Sequence, residues 1–515
     1  MKPVTSHQNK TTEELLQIIA SQSAQISQQA KHIQFLEEQN AAYRLRQFAN
    51  KSEKINPDQA SLFDEAELPK NAEKILMAEE EITIASYTRK KTPGRKPLPA
   101  ELPRVPRIYD LPEADKICHC GCELTHIKDE KSEQLEIIPA KIYVIEHIRK
   151  KYACKNCEET IKTAPKPITP IPRSIAASGL LSHVLVSKFQ DHLPLFRQEQ
   201  ILRRIGVDIP RATLSLWVIK CAELMMPLMK LYHDSILKYD VSFADETTTQ
   251  VIKEPNKGIS SKKYIWLFSG GPPEKFVFYY HYNPSRAHHV VEEFFKDYSG
   301  YLHCDGYPGY DALASKNRGI KLVGCLYHAR RKFVEVAKLA PNKEGVATCI
   351  IKLIAELAHI EESIKSLSCD DKYRIRLEKS KPILDSLKNY LQENQPKIPP
   401  KSLLGQAVSY TLNQWPKIIT YLHDGRLEIS NNRSERAIKP FVIGRKGWLF
   451  SYSVAGANAG ATIYSIIETC KYHQIEPYEY LRHVLQALPI CQTLEDYEAL
   501  LPYNIDKKLL ISQVC

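Results

Sequence analysis

The stretch from residue 239 to residue 327 most constrains how this chain can fold. It alternates short apolar, β-prone runs with turn signals at hairpin-like intervals, and one segment carries apolar residues at helical spacing. Three antiparallel strands, a helix and two further strands are therefore predicted, in that order. The predicted strands are residues 239–244, 263–268, 275–282, 301–304 and 321–327, and the predicted helix is residues 287–298.

Acidic residues stand at informative places around these elements. Asp245 follows the first predicted strand, and Asp305 follows the fourth, 60 residues later. A lone Asp-Gly pair is usually a surface turn, but here predicted strands flank the acids. Glu435 falls in the first turn of a helix predicted to begin near Asn431, and Glu428 is a competing third acid. If the fold brings three acids together, they form a site for two divalent cations and for phosphoryl transfer on a nucleic-acid backbone.

The order of elements resembles an RNase H-like nuclease core, whose first acid lies on strand one and whose second follows strand four. Over nearly its whole length, from about residue 52 to residue 502, the chain also resembles the transposases of the IS66 insertion-sequence family. The motifs that carry this resemblance are residues 152–154, a diverged segment at 184–188, and residues 245–247, 305–310, 328–333, 431–440 and 444–450.

The resemblance implies a DDE acid triad formed by Asp245, Asp305 and Glu435, which would bind Mg²⁺ or Mn²⁺. It also implies an all-helical insertion between the second and third acids, and 130 residues separate them. Apolar residues at helical spacing predict an amphipathic helix at residues 350–364 and another at 373–391, with a proline-rich break at 396–400.

Clustered cysteines upstream of the predicted sheet indicate a structural Zn²⁺ site. Two thiol clusters about thirty residues apart are typical of tetrahedral zinc coordination. The first cluster departs from the common Cys-x2-Cys form, so its ligand set stays open, and buried or free thiols are the alternative. The predicted ligands are Cys118, Cys120, Cys154 and Cys157, with Cys122 and His119 as alternatives in the first cluster.

The other cysteines are scattered, and the sequence shows no secretory signal or transmembrane run. We therefore expect a bacterial protein of the reducing cytoplasm, associated with the nucleoid when bound to DNA and without a membrane partner. Cys325 and His328 have metal-ligand spacing, but no second pair lies nearby in the sequence. Their interpretation is packing of the fifth strand against the core.

Heptad repeats near the N-terminus predict a coiled coil and hence a homo-oligomer. Glutamines at two d positions are unfavourable, so a solvated amphipathic helix is the alternative. The a positions are Ile19, Ile26, Ile33 and Asn40, and the d positions are Leu15, Gln22, Gln29, Leu36 and Tyr43.

A helical pair at residues 198–205 and 211–219 flanks a turn at 206–210 and resembles a helix-turn-helix, with Arg211 at the start of the second helix. Any helical hairpin with a glycine turn gives a similar pattern, so DNA contact and simple packing both stay open.

The net charge of +11, from 71 basic and 60 acidic residues, favours a polyanionic partner, here double-stranded DNA. Charge alone would also suit an RNA-binding or structural protein. The proline-interrupted stretch at residues 89–99 predicts an extended basic arm for a minor groove, or a plain charged linker. The candidate DNA contacts are Arg95, Lys96, Arg211, Arg330, Arg331, Lys332, Arg436, Arg445 and Lys446.

These observations predict an α+β multi-domain DNA transposase that cleaves and joins strands at the terminal repeats of its element. The alternatives are a catalytically inactive DNA-binding accessory protein and a structure-selective nuclease of the same fold. The resemblance also implies small accessory proteins encoded by related elements. The expected domains are a coiled coil (1–50), a linker (51–110), a zinc module (111–175), a helical segment (176–235), the catalytic core (236–332 and 424–472), its helical insertion (333–423) and a C-terminal helical region (473–515).

Overall fold

The computed structural model describes residues 12–48, 142–153, 161–255, 258, 261–339 and 345–510. The chain divides into two units, Asn56–Lys166 and a larger unit made of Met1–Ile55 and Pro167–Cys515. In the smaller unit, strand β1 (Lys151–Ala153) pairs antiparallel with β2 (Ile161–Thr163). The predicted zinc ligands and the basic residues Arg95 and Lys96 lie outside the described residues.

The predicted N-terminal heptads fall within one continuous helix, α1 (Thr12–Phe48). The helices that precede the sheet are α2 (Ser178–Phe189), α3 (Leu195–Arg204), α4 (Arg211–Leu224) and α5 (Met226–Lys238). The predicted helical pair corresponds to α3 and α4, which contact each other. Gly206 adopts φ +84° in the turn between them, a conformation that glycine accepts without strain.

Helices α4 and α5 contribute buried residues to the hydrophobic core, among them Trp217 and Tyr232. Within the part of the chain that the structure describes, no single helix has the length and hydropathy needed to cross a membrane. The pair α4 and α5 satisfies that criterion only when taken together, across a bend of 49°.

A five-stranded mixed sheet occupies the centre of the larger unit. The strands in this part of the chain are β3 (Val241–Thr249), β4 (Val251–Lys253), β5 (Lys263–Gly270), β6 (Val277–Asn283), β7 (Gly300–Cys304) and β8 (Ile320–Gly324). The strand order in the sheet is β6-β5-β3-β7-β8; β6, β5 and β3 pair antiparallel, and β3, β7 and β8 pair parallel. Helix α6 (His289–Phe294) lies between β6 and β7 in the chain, and α7 (Pro308–Lys316) connects the parallel strands β7 and β8.

Two strand limits differ from the prediction in ways that affect the site. Strand β3 continues beyond Asp245, because the β-branched residues after it keep pairing with β5 as far as Thr249 opposite Lys263. Asp245 therefore lies within a strand and not at its end. Strand β8 stops at Gly324, and the rest of the predicted fifth strand begins helix α8 (Leu326–Ala337).

The described elements after α8 and before residue 424 are all helical, as the predicted insertion requires. The predicted helix at 350–364 is α9 (Val346–Ser363). The one at 373–391 is divided: α10 (Cys369–Ile375) runs through a single π-helical turn, Arg376–Ser380, into α11 (Lys381–Asn394). After the proline-rich break, Ser402 caps α12 (Leu403–Ile418) by accepting the backbone N–H of Gly405 at 3.0 Å.

The chain then returns to the sheet through α13 (Asn432–Trp448), the short strand β9 (Ser451–Ser453), α14 (Val454–Tyr472), α15 (Pro477–Ala487) and α16 (Leu494–Ala499). Helix α14 covers the exposed edge of β6. The backbone N–H groups of Phe278 and Tyr280 donate to the hydroxyls of Thr469 (3.1 Å) and Ser465 (2.8 Å). An edge strand whose amides are bonded in this way cannot pair with another chain.

Candidate functional site

The parallel register of β3 and β7 places Asp305 beside Asp245. Val241 pairs with Tyr301, and the next pairs follow at the same spacing. Strand β7 ends at Cys304. Because the register is constant along a parallel pair, its continuation brings Asp305 level with Asp245 at the carboxyl end of β7.

Each of these carboxylates is oriented by the chain that carries it. Oδ1 of Asp245 accepts the backbone N–H of Glu246 at 2.9 Å. Oδ1 of Asp305 accepts the backbone N–H of Tyr307, also at 2.9 Å. One oxygen of each acid is thereby fixed by a backbone hydrogen bond.

Asn431 brings the start of helix α13 to the same edge of the sheet. Its side-chain Nδ2 donates to the carbonyl of Ala244 at 3.0 Å, and its backbone N–H donates to Cys325 Sγ at 3.2 Å. The backbone N–H of Glu435 in turn donates to the Asn431 carbonyl at 3.1 Å. Asn431 therefore ties the first turn of α13, including Glu435, to β3 and to the end of β8.

The pKa of Asp245 is affected by the other acids at this edge of the sheet. Burial is the largest cause that raises the pKa of Asp245 well above its ordinary value, and the charges of Glu246, Asp305 and Glu435 raise it further. Asp305 and Glu435 are thus close enough to act on Asp245. The charges that act on Asp245 are those of other carboxylates, and a carboxylate in such a setting favours the binding of a divalent cation.

Glu435 also contacts residues of α8. Its Oε2 lies 3.2 Å from Nη2 of Arg331, and its Oε1 lies 3.6 Å from Nδ1 of His328. Among the described residues, Cys325, His328 and Glu435 form the group whose possible ligand atoms all lie within 4.8 Å of one another. Burial lowers the pKa of His328, while the charge of Glu435 raises it in part.

This finding corrects the interpretation of Cys325 and His328 as fifth-strand packing. Cys325 follows β8, and His328 lies in the first turns of α8 against Glu435. The signal was present in the spacing of Cys325 and His328, but the third member of the group is more than a hundred residues away in the sequence. Asp245 and Asp305 are not members of this tight group, so the three acids are not gathered around a single point.

Glu428, the competing third acid, has a different environment. Its Oε1 accepts hydrogen bonds from Nε (3.0 Å) and Nη2 (2.6 Å) of Arg433, whose guanidinium also lies over the ring of Phe243 at 5.2 Å. The backbone N–H of Glu428 donates to Nε2 of His303 at 3.4 Å. Its carboxylate is therefore compensated by a neighbouring cation, and its charge is not among those that act on Asp245.

Glu246 is a neighbour of the site that the sequence patterns did not indicate, although it lies within the motif at residues 245–247. The Glu246 carboxylate forms an ion pair with Arg286 and accepts the hydroxyl of Tyr310 at 3.0 Å. Burial and the charge of Asp305 raise the pKa of Glu246, while Arg286 lowers it. Arg286 and Tyr310 are 40 and 64 residues away, so no local pattern could have paired them.

The candidate DNA-contact residues fall on several elements. Lys332 lies over the ring of Tyr410 at 4.6 Å, and Arg445 donates to the hydroxyls of Thr247 (3.1 Å) and Thr248 (3.2 Å). Lys332 of α8 is thus packed against α12, and Arg445 of α13 is bonded to β3. Arg330, Arg331 and Lys332 lie on α8, Arg436, Arg445 and Lys446 lie on α13, and Arg211 is exposed at the start of α4.

Comparison with known protein families agrees with this arrangement. Residues 173–459, which include the whole sheet, the insertion and the three acids, match the family model of the IS66 family transposases. The chain belongs to the IS66 transposase family. Residues 115–158 match the zinc-finger binding domain of transposase IS66, residues 465–503 match the IS66 C-terminal element, and residues 35–107 match a model described as the transposase C of IS166 homeodomain.

Curated relatives of this IS66 family member come from Sinorhizobium fredii (strain NBRC 101917 / NGR234). The uncharacterized protein y4jD is 33% identical over 423 residues, which are 79% of this chain and 81% of the relative. The uncharacterized protein y4hP is 30% identical over 441 residues, 82% of this chain and 78% of the relative. The zinc-finger match covers the first cysteine cluster and Cys154 and Cys157, and it indicates that the predicted zinc site belongs to a structural module.

Proposed function

We propose that this insertion-sequence transposase is a DDE enzyme with an RNase H-like core, in which Asp245, Asp305 and Glu435 form the catalytic triad. The observation that carries the proposal is the convergence of three segments at the carboxyl end of β7: the β3–β7 register brings Asp305 level with Asp245, and Asn431 bonds the first turn of α13 to Ala244. Glu428 is a weaker candidate for the third position, because its charge is not among those that act on Asp245. The domain limits drawn from the sequence belong to this proposal.

The three carboxylates supply the hard oxygen ligands that Mg²⁺ and Mn²⁺ prefer, and the buried Oε1 of Glu435 accepts no hydrogen bond from any residue that the structure describes. A pair of such ions activates an attacking oxygen and stabilises the leaving oxygen of an in-line displacement. Because the three carboxylates are not gathered around a single point, they suit two ions about 4 Å apart better than one ion. Backbone N–H groups at Glu246 and Tyr307 hold Asp245 and Asp305 in fixed orientations, so little reorganisation is needed when the substrate binds.

The proposed substrate is double-stranded DNA at the terminal repeats of the element, followed by target DNA. Water would cleave to release a 3′-hydroxyl, which would then attack the target, and no covalent protein intermediate is required. Helices α8 and α13 carry basic residues, Arg331 of α8 forms an ion pair with Glu435 of α13, and the net charge of +11 favours a polyanion. Arg211, the arm with Arg95 and Lys96, and the zinc module are the proposed elements for binding the repeats.

We also propose that α1 associates with α1 of another copy as a coiled coil. The side chains of Ile19, Ile26 and Ile33, at successive a positions, are 61%, 66% and 56% exposed in a single chain. Apolar side chains spaced by seven residues are buried when two such helices pair. Small accessory proteins encoded by the same element are further proposed partners.

The decisive experiment incubates the purified full-length protein with Mg²⁺ or Mn²⁺, a labelled duplex from the DNA that flanks its gene, and a target plasmid. Wild type is compared with Asp305→Asn, which preserves shape but removes the charge. Joined product that disappears in the variant supports the DDE transposase. Cleavage without joining would instead indicate a nuclease, and DNA binding alone, with neither product, would indicate an inactive accessory protein.

A further inference from the structure

Glu246 and Arg286 form an asymmetric ion pair beside the acid site. Glu246 directly follows Asp245 in strand β3, and the charge of Asp305 acts on it. The Glu246 side chain is 3% exposed, whereas the Arg286 side chain is 43% exposed. A buried carboxylate therefore holds a cation whose other side faces solvent.

Both oxygens of Glu246 are engaged. Oε1 accepts Nε of Arg286 at 2.8 Å and also Nη2 of the same guanidinium. Oε2 accepts the hydroxyl of Tyr310 at 3.0 Å. The carboxylate is thereby committed to orienting Arg286 and has little capacity left to act as a further metal ligand.

The face of the Arg286 guanidinium also packs against an aromatic ring. It lies 4.4 Å from the ring centroid of Tyr307, and the hydroxyl of Tyr307 donates to the backbone carbonyl of Arg286. The third nitrogen, Nη1, makes no hydrogen bond to any residue that the structure describes. Stacking and a fixed carboxylate together leave Nη1 as the group available to a ligand.

Arg286 is close to the proposed catalytic acids. Burial lowers the pKa of Arg286, but the charges of Glu246 and then Asp305 raise it above its ordinary value. Tyr307 lies two residues after Asp305 and bonds to its carboxylate through the backbone. The cation is thus connected to the acid site through the same short loop.

We propose that Arg286 binds a backbone phosphate of DNA next to the acid site, and that Glu246, Tyr307 and Tyr310 are positioning residues for it. A phosphodiester is the ligand because a fixed, half-exposed guanidinium matches its oxygens. The inference rests on the proposed function, since it supplies a cation for the substrate of that site. Arg376 differs, because it is 3% exposed and donates both to the 15% exposed Glu361 and to three backbone carbonyls, so its guanidinium is not presented to a ligand.

The test measures binding of the full-length protein to a labelled duplex from the DNA that flanks its gene, over a range of salt concentrations. Each phosphate contact contributes about 0.9 to the slope of log affinity against log salt. We expect Arg286→Ala to weaken binding and to lower this slope by about 0.9. The matched control is Arg318→Ala, because Arg318 is exposed just before the start of β8, at the opposite end of the parallel strands from the acids.

Arg286→Lys keeps the charge but changes the geometry of the side chain. It replaces Arg286→Ala in the test if the alanine variant folds poorly. It keeps one positive charge, so the salt slope should stay within error of wild type. It loses the stacked, two-nitrogen attachment to Glu246, so cleavage at saturating DNA should fall about 10-fold. An unchanged slope for Arg286→Ala together with unchanged cleavage for Arg286→Lys would overturn the inference.

Glu246→Gln distinguishes a positioning residue from a metal ligand. We expect it to weaken DNA binding without changing Mn²⁺ affinity measured by calorimetry in the absence of DNA. A large loss of Mn²⁺ affinity would overturn the assigned role of Glu246. If wild type binds DNA but does not cleave it, the proposed function fails, while the salt slope of Arg286→Ala still decides the phosphate contact.

Discussion

Two buried charged regions of this chain differ in how their charges are compensated. In the helical insertion, Arg376 donates to Oε1 (2.9 Å) and Oε2 (2.6 Å) of Glu361 and to the carbonyls of Tyr421, Asp424 and Leu427. At the sheet edge, the charges that raise the pKa of Asp245 are those of other carboxylates. The first region is a complete ion pair. In the second, carboxylates converge on Asp245, while Glu246 and Glu435 also bond to Arg286 and Arg331.

We interpret the Arg376 ion pair as structural and the acids at the sheet edge as the candidate functional site. A buried ion pair with all its hydrogen bonds made fixes the approach of neighbouring elements, and here Arg376 ties the π-helical turn to the loop that leads to α13. A cluster of acids destabilises the fold unless a cation binds, so its retention points to chemistry. Variants that remove a charge from one region or the other test this interpretation.

The largest effect is expected for the third acid. Glu435→Gln should reduce strand cleavage by about 1000-fold, because it removes a carboxylate that acts on Asp245 and is proposed to bind metal. Glu428→Gln is the matched control, and it should retain cleavage within about 10-fold because the Glu428 carboxylate is bonded to Arg433 and is not among the charges that act on Asp245. Both are measured with the labelled flanking duplex under single-turnover conditions. Cleavage retained by Glu435→Gln and lost by Glu428→Gln would reverse the assignment.

The next effect concerns the compensated pair. Arg376→Met should lower the free energy of unfolding by about 3–5 kcal/mol, because Glu361 is left as a buried, unpaired charge. The double variant Arg376→Met/Glu361→Leu should recover part of this loss, since no charge remains buried. Chemical denaturation followed by tryptophan fluorescence compares the three proteins. Equal stability of the single and double variants would mean that the lost carbonyl contacts, and not the charge, determine the cost.

Removal of a charge at the sheet edge should raise the free energy of unfolding, whereas Arg376→Met should lower it. Asp245→Asn is expected to raise the free energy of unfolding by about 1–2 kcal/mol in metal-free buffer, because one of several like charges is lost. Mn²⁺ should raise the thermal midpoint of wild type but not that of the variant. A variant less stable than wild type without metal would show that the acid cluster is already compensated.

The smallest effect concerns a partly exposed arginine. Arg426 forms ion pairs with Asp240 and Asp424. Hydrogen bonds from Arg426 lower the pKa of Asp240. Burial acts to raise the pKa of Asp424, but its hydrogen bonds with Arg426 outweigh burial, and the pKa of Asp424 is lowered as well. Carboxyls with lowered pKa values contribute stability above their ordinary pKa, and that stability is lost as pH falls through the lowered value. Arg426→Gln should therefore cost at most about 1 kcal/mol at pH 7, given solvent screening. The difference from wild type should shrink as the pH falls below about 4 in urea titrations.

The local patterns predicted element types well, and their errors have definite causes. The strand before Asp245 ran on to Thr249 because pairing with β5 continues past the acid. The fifth predicted strand ended early because residues 325–327 share their apolar character with the first turn of α8. A short apolar run does not distinguish a strand from a buried helix start, and only the partner strand resolves it.

The amino-acid sequence by itself determined which residues are candidates for the proposed chemistry: the acids in their motifs, the cysteine clusters and the basic segments, together with membership of the IS66 transposase family. Only the tertiary structure decided how these residues meet. It placed Glu435 near Asp245, paired Glu428 with Arg433, and held Arg286 against Glu246. The physical reason is that propensity and periodicity act over a few residues, whereas strand register and the charge around a carboxylate are set by contacts between distant segments.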